Sequence, residues 1–349
     1  MTAERVAAEL GYLDPRPPAV RVFDAGVGDG TLLARVMRAM HQRYPTLPFY
    51  VVGKEVSMEG VRLVLDKMPD RFFEHPATVL VLTNLHYAHA PWLGSPSAGT
   101  AQSIDVTWHE VSLSGSTADE FERQISTLQP WLTSSWRTRC DGDSGRVTYE
   151  RPAVLVVYRR DHRFALDAVV PRRGVARAGF DLVVASQPYR SRAPLSFKSN
   201  QVLAPLVRAL AARGRLIGIQ SYGHDPGAEI LQGVWPDENP FQHDRHAVLA
   251  ATREALGADA SSFEFSARDD RRSVFRYGMH ALPGEAGRAN SSTLMAAWNA
   301  AVYVGQVDDR RLKAAMSDKA YIDAVRSVLL KHGGLWFLDE CYVIARRPH

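Results

Sequence analysis

Between residues 20 and 85 the apolar positions fall into three short, nearly unbroken runs, separated by stretches with helical spacing. The run 20–24, "VRVFD", is mainly apolar and ends in an acid, and "TLLARVMRAMHQRY" follows with Leu32, Leu33, Val36 and Met40 on one helical face. A second run, "FYVVGKEV", precedes the helical stretch "SMEGVRLVLDKM", with Ser57 placed to cap it. The third run, "ATVLVLTNL", closes the series at residues 77–85. Strands that are apolar throughout, alternating with helices, predict a parallel sheet covered on both faces.

The alternation then breaks. Residues 94–178 open with "GSPSAGTAQS" and hold an expected strand in "IDVTWHEVSL" and a helix from Asp119 to Leu128, stopped by Pro130. "PAVLVVYRRDHRFALDAV" reads as a hairpin turning at Arg160 and Asp161. Regular order returns with strand "FDLVVASQPY", helix "SNQVLAPLVRALAARG" and strand "RLIGIQS". Two late strands, a helical tail and a last strand in "GLWFLDECYVIARR" complete the chain. The pattern predicts an α/β fold: a doubly wound, mostly parallel sheet of seven strands with a large insertion between strands three and four. Residues 1–93 and 179–349 form its core with a C-terminal extension, and 94–178 an inserted lid or substrate subdomain.

Composition changes this picture little. The 349 residues carry 42 Lys and Arg against 38 Asp and Glu, a net charge of +4 that is too mild to argue for nucleic acid. Two cysteines, Cys140 and Cys341, make neither a disulfide framework nor a metal spacing. No apolar stretch approaches the roughly 20 residues of a membrane span. With no apolar leader at the amino terminus, a cytoplasmic protein is expected.

The chemistry concentrates in "DAGVGDG", residues 24–30, directly behind the first strand. A P-loop needs G-x-x-x-x-G-K-[ST], which is missing. A dinucleotide loop wants G-x-G-x-x-G with a pyrophosphate at the helix start, but Gly26, Gly28 and Gly30 give G-x-G-x-G, and Asp29 would repel that pyrophosphate. A ligand carrying positive charge suits Asp24 and Asp29 better.

Residues 21–57 resemble the cofactor half of a class I S-adenosylmethionine-dependent methyltransferase, whose first motif is an acid followed by G-x-G-x-G after strand one. The resemblance, which extends over 20–90 and 179–222, implies a Rossmann-like sheet and S-adenosylmethionine as cofactor. It implies that Asp24, Gly26, Gly28 and Gly30 line that cofactor. Glu55, ending strand two, would accept from the ribose hydroxyls, and Asn84, ending strand three, would read the adenine amino group. Ser186-Gln187-Pro188-Tyr189 resembles the [DNS]-P-P-[YFW] motif of amino-group methyltransferases, with Gln187 in place of the first proline. It implies that Ser186, beside the cofactor, and the Gln187 carbonyl accept from a target amine, while the Tyr189 ring stacks on the substrate. An ordinary strand-ending turn with Tyr189 half-buried competes with that reading.

In open parallel sheets ligands gather outside the carboxyl ends of the strands. After strand five, His224 and Asp225 lie in "QSYGHDPGAEI", where His224 could act as a general base or merely precede a helix start. His109, Glu110, Arg276, Tyr277 and His280 are weaker candidates, and His75, His86 and His89 lack partners in metal-ligand spacing, so no metal is expected. The resulting expectation is an enzyme methylating a small molecule, at nitrogen, with the insertion and the C-terminal extension roofing the acceptor. An aminocarboxypropyl transferase or cyclase releasing methylthioadenosine, and a non-catalytic cofactor-binding scaffold, stay open. The expected partner is a small-molecule substrate; membrane and nucleic acid are disfavoured, and a homodimer is compatible with the sequence.

Overall fold

The computed structural model describes residues 1–94, 104–140, 147–175, 178–278, 291–318 and 320–348. Its strands are β1 (Val20–Asp24), β2 (Phe49–Lys54), β3 (Thr78–Thr83), β4 (Thr107–Leu113), β5 (Thr138–Cys140) and β6 (Val147–Tyr149). They continue with β7 (Ala153–Arg159), β8 (Phe180–Ser186), β9 (Leu210–Ser221), β10 (Phe263–Ser266), β11 (Val274–Gly278) and β12 (Trp336–Arg346). One sheet runs β10-β12-β9-β8-β1-β2-β3-β7-β4, with β11 also paired to β12. From β3 through β2, β1 and β8 to β9 every pairing is parallel. β12 runs antiparallel to β9, β10 and β11. The chain winds outward from β1 to β3 and restarts at β8 on the other side of β1, so the strand order reverses between β1 and β8.

The continuous apolar runs behave as their pattern demands. β2, β3 and β7 are buried at every position, because helices cover both faces. One face packs under the helices Thr2–Leu10, Thr31–Arg43 and Met58–Asp66 around Phe49, Phe72 and Leu80. The other packs under Ala204–Arg208 and Arg245–Leu256 around Phe23, Phe180 and Tyr342. A third apolar cluster, centred on Trp298, joins helix Pro226–Val234 to the C-terminal helices.

Three expectations change. Among the described residues the sheet has ten strands, not seven: the insertion adds two, with β7 antiparallel to β3 and β4 parallel to β7, and β11 is a further one paired to β12. The hairpin expected to turn at Arg160 and Asp161 does not form. β7 ends at Arg159, whose guanidinium binds Asp161, and a short helix Arg163–Leu166 follows. The helix expected to run to Gly214 ends at Arg208, and the chain is already extended in β9 from Leu210.

Candidate active site at the ends of β1, β2 and β8

The strand order reverses between β1 and β8, and the crevice expected at their carboxyl ends is where doubly wound sheets hold ligands. The loop 24–30 and the segment 186–189 stand on its two sides. A Cβ added to Gly26 would lie 3.6 Å from both the Ser186 carbonyl oxygen and Pro188 Cα, and 3.8 Å from the Gln187 carbonyl oxygen. Tyr87 ties the two segments together. Its hydroxyl lies 2.8 Å from the Ala25 carbonyl oxygen and 2.6 Å from that of Pro188, to which it donates.

The three glycines have three different reasons. Gly30 has φ +77°, and a Cβ there would meet Val64 Cα at 2.9 Å, so it serves the packing of helix Met58–Asp66. Gly28 has φ +55° with open space on its Cβ side. Gly26 alone faces the second segment.

The loop spends its N–H groups internally. Gly26 donates to Asp24 at 3.3 Å and Gly28 to Glu55 at 3.0 Å. Thr31 donates to Asp29 at 3.0 Å, Val27 to the Lys54 carbonyl at 3.1 Å, and Gly30 to the Val27 carbonyl at 2.9 Å. A phosphate-binding nest needs such groups free. Here acids and carbonyls already hold them, which leaves an oxygen-rich crevice suited to positive charge.

The two loop aspartates differ sharply. Asp24 is 1% exposed, and burial pushes its carboxyl up to about 7; the Gly26 N–H opposes that shift and nearby Glu55 reinforces it. Asp29 sits at the start of helix Thr31–Arg43. Partial burial pushes its carboxyl up, but hydrogen bonds from Thr31 and the Lys67 ammonium at 3.6 Å more than offset this and hold it below its ordinary value. Asp29, just before the N-cap Gly30, therefore holds the first residue of the helix and has its charge already paired with Lys67. Glu55, half-buried, also accepts from the N–H groups of Val56 and Ser57, each at 2.8 Å.

Asn84 does not stand ready to read a base. It is 1% exposed, its Oδ1 accepts from Ala153 N at 2.8 Å and its Nδ2 donates to the Arg151 carbonyl at 2.9 Å. The carboxamide fixes the start of β7 beside β3 and is engaged on both its oxygen and its nitrogen.

Tyr189 is likewise corrected. Only 7% exposed, it donates from its hydroxyl to Gln220 Oε1 at 2.8 Å and lies 3.3 Å from the Tyr342 hydroxyl. Burial, Tyr342 and Glu340 push its phenol well above the ordinary value. Its hydroxyl is anchored inward, so the ring is not free to swing over a substrate. His224 is exposed at the rim with φ +56°, its ring 5.1 Å from that of Tyr222, while Asp225 caps helix Pro226–Val234.

Gln187 explains its own departure from the motif. With φ +49°, its Nε2 donates to the Ser221 hydroxyl at 3.1 Å and to Asp339 at 3.4 Å. Side-chain hydrogen bonds thus hold a loop that a proline ring would otherwise stiffen. Asp339, which the sequence reading passed over, is 6% exposed and pushed up to about 7 by burial, Asp225 and Glu340.

The weaker candidates have structural employment. His109 stacks on Trp131, Glu110 accepts from Tyr158, Arg276 covers the Trp336 ring and Tyr277 stacks on Phe337. His75 stacks on Phe49, and burial lowers it to about 4. His280 lies outside the described residues. Among the described residues no cluster of metal-ligating side chains forms, and no helix is long and apolar enough to cross a membrane. A cleft lined by Arg16, Arg21, Asp181 and Arg213 opens at the amino-terminal ends of β1 and β8, the edge opposite the loops described above.

The insertion and the extension reach the rim from opposite sides. Trp136 Nε1 donates to the Glu55 carbonyl at 3.0 Å. From the C-terminal part, Gln306 Oε1 accepts from Ser191 N at 2.8 Å, and the Gly305 carbonyl accepts from Arg192 at 3.3 Å.

No protein-family model matches the chain, and no curated protein does. Among solved structures, phosphoethanolamine N-methyltransferase 2 of Haemonchus contortus, in complex with S-adenosyl-L-methionine, is similar at 12% identity and TM-score 0.33, over 99% of this chain and 53% of that one. This chain thus matches about half of that protein's length. A geranyl diphosphate methyltransferase with sinefungin is similar at 11% identity and TM-score 0.35, over 99% of this chain and 77% of that one. A sarcosine dimethylglycine methyltransferase of Galdieria sulphuraria is similar at 10% identity and TM-score 0.35, over 99% and 85% of the two chains. Likeness this low assigns no activity.

Proposed function

We propose that the crevice binds S-adenosylmethionine and that the protein is a methyltransferase acting on a small molecule at nitrogen. One observation carries the reading: in the loop 24–30 the N–H groups of Ala25, Gly26, Val27, Gly28 and Gly30 are committed to acids and carbonyls. That arrangement disfavours a phosphate and favours a sulfonium and an ammonium. Asp24 would balance the ligand's positive charge, Glu55 would accept from the ribose hydroxyls with its remaining lone pairs, and Gly26, where one added Cβ already touches residues 186–188, would keep a larger side chain out of the ligand's place. The cofactor supplies a methyl group on a sulfonium, already a good leaving group.

The chain's task is then positioning and exclusion of water. The carbonyl oxygens of Ser186 and Gln187 converge on Gly26, and in this reading they accept from an amine and direct its lone pair at the methyl group. The Ser186 hydroxyl is a further acceptor. Tyr189 acts at one remove, holding that segment through Gln220. The reading is tested by titrating the protein with S-adenosylhomocysteine and then incubating it with S-adenosylmethionine and primary or secondary amines. Binding lost in Gly26→Val, with adenosylhomocysteine released on turnover, is the expected result. Unchanged affinity in that variant overturns the site, and release of methylthioadenosine overturns methyl transfer.

A further inference from the structure

At the amino-terminal ends of β1 and β8 the sheet pairing slips. Phe180 is partnered by Leu210 but Leu182 by Arg215, so a single residue of β8, Asp181, stands opposite residues 211–214 of β9. Bulged strands re-aim side chains and recur beside ligand sites. Gly214 makes the close contact of the slip, where a Cβ would meet the Phe180 carbonyl oxygen at 2.5 Å. Arg213, just before it, has φ +62°. That left-handed backbone is strained for an arginine and natural to glycine or asparagine. The Arg213 guanidinium reaches Asp14 at 3.3 Å, with both side chains more than half exposed, and ion pairs so placed add little to stability. Strain that stability does not explain points to function.

Arg213 opens onto the cleft that Arg16, Arg21 and Asp181 also line, a space of about 450 Å³. That volume falls within the range of small-ligand pockets. Arg21 is held in place there. Its Nε donates to the Gly179 carbonyl at 3.0 Å, and its guanidinium lies 4.3 Å from the centre of the Tyr50 ring. Asp181 accepts from the Arg21 backbone N–H at 2.8 Å. Burial pushes its carboxyl up to about 6, against that bond and the Arg21 charge and with Asp14 assisting. Three guanidinium groups thus stand against two carboxylates, Asp14 and Asp181, and the excess is positive. Pro17, Pro18 and Pro348 give the cleft an aliphatic wall, and among the described residues no aromatic ring lines it. Guanidinium forks match the paired oxygens of carboxylates and phosphates, whereas a nucleobase would find no ring to stack on.

We propose that this cleft is a second ligand site, in which Arg16, Arg21 and Arg213 grip the phosphate or carboxylate groups of a small aliphatic molecule. The length of β1 separates it from the crevice, since Arg21 stands near the start of that strand and Asp24 at its end. The site therefore does not rest on the methyl-transfer reading.

The test titrates the full chain by calorimetry with glycerol phosphate and with succinate, taking sodium chloride at equal ionic strength as the reference. At least one of the two should bind saturably, and the one that does so separates a phosphate head from a carboxylate head. Arg213→Gly should leave the fold intact, because glycine takes the left-handed backbone without strain, and should weaken that binding by about tenfold or more. Arg213→Lys, which keeps the charge but not the planar fork, should retain part of the affinity. Arg16→Gln, at an exposed position, should weaken binding without touching the slipped pairing. Saturable binding of neither probe, or wild-type affinity in Arg213→Gly, overturns the site. S-adenosylhomocysteine titrated in parallel should bind Arg213→Gly as it binds wild type, so the two sites stand or fall separately. Anion binding without nucleoside binding sinks the cofactor reading and leaves this cleft, and the reverse sinks the cleft alone.

Discussion

The two halves of the carboxyl-terminal rim are built on different plans. Around β1 and β2, Asp24 and Glu55 face a glycine loop, and their partners are backbone N–H groups a few residues to 27 residues away. Around β8, β9 and β12 the polar groups join side chain to side chain in a chain of contacts. Tyr189 donates to Gln220, Gln220 and Arg245 donate to Glu340, and Gln187 donates to Asp339. The first half keeps acceptor capacity for something not yet bound. The second has closed most of its bonds on itself. One half is arranged to gain a partner and the other to hold its shape, so substitutions should separate ligand affinity from stability according to the half they strike.

The sharpest break of that contrast is Arg245→Met. It strands Glu340, which is 0% exposed, and loss of one partner from a buried ion pair costs about 3–5 kcal/mol. Urea denaturation should show that loss, while folded protein at low temperature keeps its affinity for S-adenosylhomocysteine. A matching loss of affinity would mean that the halves are coupled.

Glu55→Ala should do the opposite. Hydrogen bonds to charged groups contribute about 1.5–3 kcal/mol, so calorimetry should find S-adenosylhomocysteine binding weakened by about tenfold or more. An affinity within threefold of wild type would remove Glu55 from the ligand.

Acidity sharpens the comparison next. The Asp24 carboxyl, raised to about 7 by burial, must ionise to balance a cation. Affinity should therefore fall as pH drops below 7, approaching about tenfold per pH unit for one proton taken up, and Asp24→Asn should abolish this dependence. The sign for stability is the reverse. A carboxyl raised on folding contributes stability that is complete below its unfolded value, near ~3.9, and is lost as pH rises through 7. Asp24→Asn should remove that loss, which falls between about pH 4 and 7, as well. The smallest effect belongs to His224→Asn. Asparagine tolerates the left-handed backbone, and an exposed substitution should shift stability by under about 0.5 kcal/mol.

The first half was also the legible one. Acid, glycines and strand ends at 24–30 and 55 lie within one strand–helix–strand unit, where chain spacing fixes which groups meet. The parallel core was readable for the same reason: buried strands must be apolar at every position. The β8–β9–β12 half was not readable, because Gln187 meets Asp339 152 residues away and Gln220 meets Glu340 120 residues away. A motif gave Tyr189 a ring to stack, but burial took its hydroxyl into the core. Asn84 was misread because β7, from the insertion, docks on β3 and claims its carboxamide.

The bond from Trp136 to the Glu55 carbonyl also turns the insertion into an optical probe. The indole is 1% exposed and sits 6.0 Å from the Trp131 ring, so its emission reports on a dry, fixed surrounding. A cationic ligand held by the Glu55 carboxylate would bring a charge close to the residue whose carbonyl holds that indole. Occupancy of the crevice should then appear as a change in colour or yield of tryptophan fluorescence, absent in Trp136→Phe, and it can be followed on the millisecond scale without any label.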